Sequence, residues 1–561
     1  MRTSTIQRVR LFIRGSTSGP GAPLPPRRVW LLAFLAFALL GAAWSLAMPY
    51  DGPADELQHV LRAYAVWSGQ VRAPADGLIR APQSLMPDGL HIGFSCFRWN
   101  HAASAHCAAT AGADPAQTRQ MIETSSNAAT YSPVYYALVG WPIRIWPTFF
   151  GIIAARLLTT VFMSAFIAFA VTAASRLRHA RWLLPGLLVV LTPVVVNLEG
   201  GVNPAGPEIV VGLALWVALI GIVDARQASP GLVRLACVSG AFLAVFRSFG
   251  VEWLVLTVGV AVFGGVVGWL RHPRRVLSGL DRGGRGGRGW VRAVLANRTL
   301  LRWLPVTGVG LVFGYVWVKL TGGVGNLAAG STAGHLTLAH AYVDELWSRT
   351  TYYTDGFIAL TSYGDVPTPG LVFYVWFGVC AALILLALAV SGTVDRLRIV
   401  GIILGAYVIL IYPDAETVAH GWWLSQGRYA LPFIVGAPLL AAHALGEQRV
   451  LIPQHLRKVT RMVGLVLLPI QGVMLYVTMI RFESGGAHLD VLHGKWLPPL
   501  GPELPLLLCA AGIVVAWCLV VRMSSLPVNA DPSPTTDETQ PTAARLVPQP
   551  TGPHSAMPTS V

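Results

Sequence analysis

Asp55 and Glu56 adjoin one another in the stretch PYDGPADELQHVLRAY, residues 49–64, and His59 and Arg62 follow at helical spacing. A helix beginning near Ala54 puts Asp55, His59 and Arg62 on one face. Paired carboxylates, partly desolvated, hold a general base whose pKa is raised by burial and by its neighbour, and a histidine or arginine beside them meets a phosphate. An amphipathic helix with an internal salt bridge is the alternative reading of the same residues. A second concentration lies at 420–433, HGWWLSQGRYALPF, where Arg428 enters an apolar segment beside Gln426, Tyr429, Trp422 and Trp423. An arginine at the centre of a membrane helix costs about 2.5–3.5 kcal/mol on insertion scales and less at the interface, where it snorkels. Its planar fork suits a phosphate, while the aromatic residues around it also read as an interfacial belt. In NLEGGVNPAGPE, Asn197, Glu199, Asn203 and Glu208 gather around a turn that Gly and Pro already explain. Arg247 and Glu252 flank FRSFGVEW and read as a structural ion pair. No acid shows a diagnostic metal-ligand spacing, so a divalent metal stays open and no other cofactor is indicated.

The elements that must position these groups are apolar. Of 561 residues, 54% are hydrophobic and 12% charged, against about 25% charged in soluble domains, which makes this an all-α polytopic membrane protein. The net charge of +15 sits mostly in arginines of short loops between apolar segments, where it sets orientation and does not indicate nucleic acid. Residues 1–28 carry Arg2, Arg8, Arg10, Arg14, Arg27 and Arg28 with no acid and are expected in the cytoplasm. Residues 29–48 match the ~20 residues a bilayer needs and read as an anchor, not a cleaved signal. Asp55 is then outside. Residues 49–150 form a long extracytoplasmic loop, in which the aromatic, proline-broken segment 131–151 lies in the interface rather than spanning it. That choice keeps Arg176, Arg178 and Arg181 inside.

Residues 151–522 form the transmembrane bundle. Further spans fall at 155–174, 181–198, 207–224, 231–249, 251–270, 304–320, 369–391, 397–412, 428–446, 459–480 and 503–521, twelve with the first. The expected cytoplasmic loops are basic, above all 271–302 with nine arginines and one aspartate, whereas the outer loops carry Asp344, Glu345, Asp355, Asp365, Asp414 and Glu416. Loop 321–368 is long enough to cover Asp55 as a lid. DRGGRGGRG at 281–289 is a flexible basic linker, and the tail 523–561, rich in Pro, Thr and Ser, cannot build a core. Both termini are expected in the cytoplasm, in the cell membrane as host bilayer. Cys237, Cys380, Cys509 and Cys518 lie in apolar segments and pack as small hydrophobes. Cys96 and Cys107 flank a polar stretch of the outer loop, where the compartment permits a disulfide. Zinc, with His91, His101 and His106 near, is the rival, although neither CxxC nor HxxxH spacing is present.

Several pieces occur together in order: Pro53-Ala54-Asp55-Glu56-Leu57-Gln58-His59 with Arg62-Ala63, the Cys96/Cys107 pair, and Tyr131-Ser132-Pro133-Val134-Tyr135-Tyr136-Ala137. Ala155-Arg156-Leu157-Leu158, the Leu191-Thr192-Pro193 to Asn203-Pro204 segment and Gln426-Gly427-Arg428-Tyr429 follow. Over about residues 30–480 this pattern resembles the actinobacterial polytopic proteins of domain of unknown function 2142, a family similar to the GT-C superfamily of membrane glycosyltransferases. The resemblance implies a GT-C-like bundle that takes a sugar from a polyprenyl-phosphate carrier at the outer face. The acceptor would be a cell-envelope glycan, a lipid or a protein. It assigns Asp55, with Glu56 beside it, to the acceptor hydroxyl as base or orienter. His59, Arg62, Tyr131, Tyr135, Gln426, Arg428 and Tyr429 become candidates for substrate contact. The chain departs from the family's frequent Pro-Asp-Glu-Pro in having Ala54 and Leu57. The competing classes are a transporter or flippase of lipid-linked glycans and a non-catalytic scaffold. A secondary transporter places its binding residues at mid-membrane, where 207–224 and 369–391 have almost no charge.

Overall fold

The computed structural model describes residues 24–72, 77–86, 95–108, 120–224, 229–271, 297–322, 337–366, 368–418 and 425–525. The linker 281–289, His91, Trp422, Trp423 and the tail from residue 526 lie outside the described residues. Pro26 in the first turn opens α1 (Pro26–Ala47), where its missing N–H costs nothing. A tight turn leads to α2 (Glu56–Trp67). The first loop also holds a hairpin that sequence reading did not name: β1 (Leu78–Pro82) pairs antiparallel with β2 (Met121–Ser125). Its period-2 pattern buries Ile79 and Ala81 and leaves Leu78 and Arg80 outside, with Arg80 opposite Glu123. Segment 131–151 becomes two short helices, α3 (Pro133–Val139), capped by Ser132 accepting from the Val134 N–H, and α4 (Trp141–Ile145). Leu138, Trp141, Ile145 and Trp146 are exposed along them, the pattern of a surface element.

The bundle continues with α5 (Phe149–Ala174), α6 (Ala180–Val190), α7 (Pro193–Glu199), α8 (Ala205–Asp224), α9 (Pro230–Phe246), α10 (Gly250–Arg271) and α11 (Arg298–Thr321). Next come α12 (Leu338–Asp344), one π-helical turn, and α13 (Thr350–Ile358). The chain closes with α14 (Gly370–Val390), α15 (Thr393–Val418), α16 (Leu431–Ile434), α17 (Gly436–Glu447), α18 (Pro453–Ser484) and α19 (Glu503–Ser524). The expected apolar segments all fall on helices. By length and apolarity, however, eight helices are able to cross a membrane, or nine if α6 and α7 count as one broken span bent by 71°. Twelve spans are not reached by this measure among the described residues, because α9 and the Gly250–Phe263 part of α10 are shorter apolar helices and α15, which holds the expected span 397–412, does not pass it. The break between α6 and α7 falls at Pro193, which offers no N–H to continue the ladder. Of the apolar window of α8, 89% is buried, against 11% for α11 and 17% for α14. α8 is thus a core helix, and α11 and α14 turn apolar faces outward, to the lipid.

One side chain fixes where α1 ends and α2 begins. Arg156, on α5 and fully buried, donates from Nε and Nη2 to Glu56 at 2.7 and 2.5 Å. Its remaining three N–H groups reach the carbonyls of Ser45, Met48 and Pro49 at 2.9, 2.7 and 2.6 Å. These are carbonyls at the C-terminal end of α1, which have no partner within the helix. The five donors of a guanidinium are all used. Glu56 also accepts from the N–H groups of Asp51 and Val202. Breaking a buried pair on one side leaves an uncompensated charge and costs about 3–5 kcal/mol. Arg156→Met and Glu56→Gln are each expected to lower thermal stability in detergent by that order. The double variant should lose clearly less than the sum, measured by fluorescence-detected thermal unfolding; strictly additive losses would break this account of the pair.

Candidate active site

The turn at 49–55 carries two aspartates in the left-handed region, Asp51 at φ 60° and Asp55 at φ 58°, a conformation Asp tolerates better than most residues. Asp55 stands at the N-cap of α2 but makes no capping bond with its side chain. Its carboxylate instead accepts from Arg428 Nη2 at 2.5 Å, with 29% of the Asp55 side chain and 7% of that of Arg428 exposed. Arg428 lies in a 3-10 turn, Gly427–Ala430, opening the span Gly427–Glu447. The turn is seated on α13: a Cβ on Gly427 would stand 2.1 Å from the Tyr353 carbonyl oxygen. Only glycine permits that approach.

Around the pair are aromatic rings and further guanidiniums. Arg247, at the C-cap of α9, lies 4.3 Å from the Tyr429 ring centre and 6.0 Å from that of Tyr131, while Arg428 lies 5.4 Å from the same Tyr429 ring. Arg98 stacks on Tyr363 at 3.3 Å. His59 shares Nδ1 with the Tyr136 hydroxyl at 2.8 Å, and its ring centre is 5.7 Å from that of Tyr131. Burial alone would raise the Asp55 carboxyl, but Arg428 and then Arg98 and Arg247 hold it below its usual range. Burial drives the His59 imidazole down to about 3, with Asp55 opposing and Arg247 and Arg428 adding to the fall. With its imidazole held neutral, His59 stands in this site as a hydrogen-bonding group.

The structure brings Asp55, His59, Tyr131, Arg428 and Tyr429 into one neighbourhood and sets others apart. Glu56 is committed to Arg156, and its carboxylate is fully buried. Arg62 spends its guanidinium on the carbonyls of Gln70, Val71 and Tyr131. Tyr135 is buried with its hydroxyl on Thr159 at 2.8 Å, and Gln426 precedes the Arg428 turn as its N-cap. Arg247 does not pair with Glu252 as expected: its partner is Glu208 at 3.2 Å, on α8. The NLEGGVNPAGPE connection cradles the turn, since Asn203 Nδ2 donates to the Ala54 carbonyl at 2.7 Å. Sequence reading named neither Arg98 nor Tyr363, both contributed by loops far from residue 55.

Cys96 and Cys107 are joined at 2.00 Å. His101 and His106 are exposed, and among the described residues they belong to no group able to hold a metal. Fully buried Arg481 donates to the Phe97, Asn100 and Ala103 carbonyls and to Asp365, which ties the disulfide lobe to α18. Asp51 ties the same lobe to the turn: its carboxylate accepts from Ser95 Oγ at 2.8 Å, the Leu57 N–H at 3.2 Å and the Tyr363 hydroxyl at 2.6 Å. Ser362 also donates to the Gly52 carbonyl, at 2.5 Å. Ser95, Ser362 and Tyr363 thus close onto the turn that holds Asp55.

Residues 37–437 match the family described as predicted membrane protein (DUF2142), and the chain belongs to that family. No curated protein matches the chain. Two solved structures of ArnT from Cupriavidus metallidurans, one apo and one bound to undecaprenyl phosphate, align with it at 14% and 15% identity. The alignments cover 88% of this chain and 76% and 77% of those chains, with TM-scores of 0.40 and 0.37.

Asp51 makes the turn pH-sensitive. Burial pushes its carboxyl from 3.8 to about 6, against the Tyr363 and Ser95 hydrogen bonds and Arg98. Between those values the folded state binds more protons than the unfolded one, so unfolding free energy falls as pH rises through the window. Asp51→Asn, which keeps a left-handed-tolerant residue and one acceptor, is expected to flatten the stability profile between about pH 4 and pH 6, a swing of at most about 3 kcal/mol. Thermal unfolding of both proteins across that range checks it; parallel profiles would show that Asp51 does not set the dependence.

Proposed function

We propose that this DUF2142 protein is an integral membrane glycosyltransferase of GT-C type. It would move a sugar from a polyprenyl-phosphate carrier to a cell-envelope acceptor at the outer face. The observation that carries the reading is the convergence of one partly exposed carboxylate, Asp55, on Arg428 at 2.5 Å, with Arg247 and Arg428 sharing the Tyr429 ring. A transferase of this kind needs an anion site for the phosphate and a carboxylate for the acceptor hydroxyl within one sugar's reach. The sequence motifs shared with the family support the same assignment.

In the proposed cycle the carrier phosphate takes over Arg428, with Arg247 beside it, because a guanidinium fork binds phosphate in the two-point manner it offers a carboxylate. Asp55 then loses the positive charge that held its proton affinity down, and that affinity rises toward the range of a general base. The acceptor oxygen bonds to the anomeric carbon as the bond from that carbon to the phosphate oxygen breaks. The electron pair leaves with the polyprenyl phosphate, the acceptor proton passes to Asp55, and configuration inverts. Tyr131 and Tyr429 offer ring faces to the sugar. Glu56, held by Arg156, is a positioning residue in this scheme.

The test is envelope-glycan composition in a deletion strain complemented with wild type, Asp55→Asn or Arg428→Gln, together with transfer from a polyprenyl-phosphate-linked sugar in proteoliposomes. Loss of a general base costs about 10²–10⁴ in rate, and both variants are expected to lose at least about 100-fold while remaining folded. Unchanged glycans in the deletion strain, or full rescue by Asp55→Asn, would remove this assignment.

A further inference from the structure

A second group of chemistry-bearing side chains lies far from Asp55. Asp224 is the last residue of the 20-residue helix α8, so it stands ~30 Å along that helix from the end that meets Ala54. One oxygen of Asp224, one ring nitrogen of His443 and one oxygen of Glu447 lie within 4.8 Å of one another. His443 and Glu447 are one turn apart on α17. The three line a cavity of about 250 Å³ together with Arg178, Asp395 and Arg398. Asp395 has its own partner there, Arg398 at 3.2 Å.

Acidity alone does not make this a site; the imidazoles do. Neither nitrogen of His443 makes a hydrogen bond among the described residues. Nδ1 is buried without a partner, and Nε2 is 3.7 Å from Glu447 Oε1, beyond hydrogen-bond reach. The adjacent His179 ring, T-shaped to His443 at 5.4 Å, likewise buries Nε2 with no partner. Buried polar atoms are almost always satisfied, and His443, which lines the cavity with neither ring nitrogen hydrogen-bonded, has a lone pair to offer a ligand there. Helices α8 and α17 both end here, bringing the negative ends of two helix dipoles to the same place.

We infer that Asp224, His443 and Glu447 form a binding site for a divalent first-row metal ion of the zinc class, which fastens the end of α8 to the end of α17. One nitrogen and two carboxylate oxygens suit such an ion. Ligand atoms around it stand about 3.4 Å apart at metal–ligand distances near 2.1 Å, so small side-chain movements complete the set.

Full-length protein purified in detergent, stripped with chelator and dialysed against Zn²⁺ is analysed for bound metal, with Co²⁺ as the spectroscopic probe. Wild type and Asp55→Asn are both expected to retain about one equivalent and to show a ligand-field Co²⁺ spectrum, as a single ordered site with three protein ligands requires. His443→Ala and Asp224→Asn, each checked for monodispersity, are expected to bind at least about 10-fold more weakly. Should these variants fail to fold, the wild-type stoichiometry and Co²⁺ spectrum decide. Negligible metal in wild type, or unchanged retention in a folded His443→Ala/Glu447→Gln double variant, overturns the site and leaves a solvated charge cluster. Neither result bears on transfer at Asp55.

Discussion

A guanidinium taken out of water is costly unless each of its donors finds an acceptor, and Arg156 meets that condition only if three separate pieces of chain arrive together. α5 brings the guanidinium, the end of α1 brings three carbonyls, and the start of α2 brings Glu56. The 49–55 turn is therefore held at both ends by one side chain. Glu56 extends the constraint to the connection after α7 through the Val202 N–H, and Asn203 repeats it at Ala54. The direction in which Asp55 leaves the bundle is a by-product of satisfying this buried charge. Arg428 meets it there because the 3-10 turn is pressed onto α13 through glycine.

The connecting segments around this turn are fastened by the same physics at smaller scale. Asp51 gathers Ser95, Leu57 and Tyr363, and Arg481 gathers the carbonyls of the disulfide lobe. A third cluster joins the π-helical turn and α13 to α15: the Tyr353 hydroxyl donates to Asp414 at 2.7 Å and is also bound to Glu345, while Arg349 reaches Asp414 at 3.2 Å. Each is a polar network buried in an otherwise apolar assembly, where partial satisfaction would be worse than none.

The apolar segments and the charged stretch at 49–64 were legible because hydropathy runs and local spacing are written within a few residues of one another. What distinguishes Asp55 from Glu56 was not, since it depends on Arg156 a hundred residues away and on Arg428 much farther still. Arg247 shows the same limit: Glu252 is near in sequence, yet Glu208 is the partner because α8 and α9 pack side by side. The hairpin was missed because two five-residue strands separated by 38 residues leave no hairpin-turn signal. Short apolar helices such as α9 look like spans in a sequence window, and only their termini reveal their length. Asp224, His443 and Glu447 carry no motif, and their proximity exists only in the folded bundle.

The left-handed backbone at Asp55 has a consequence for anyone reading a mutational scan of this protein. Most side chains pay about 1–2 kcal/mol in that conformation, so a drop in function at position 55 mixes two quantities, the lost carboxylate and a displaced start of α2. Asparagine tolerates the conformation and removes only the charge, whereas alanine, glutamate or any branched residue disturbs the backbone as well. Tolerance at this position therefore reports chemistry only when asparagine is set against aspartate, and a scan scored on alanine would credit to the reaction what belongs to the turn.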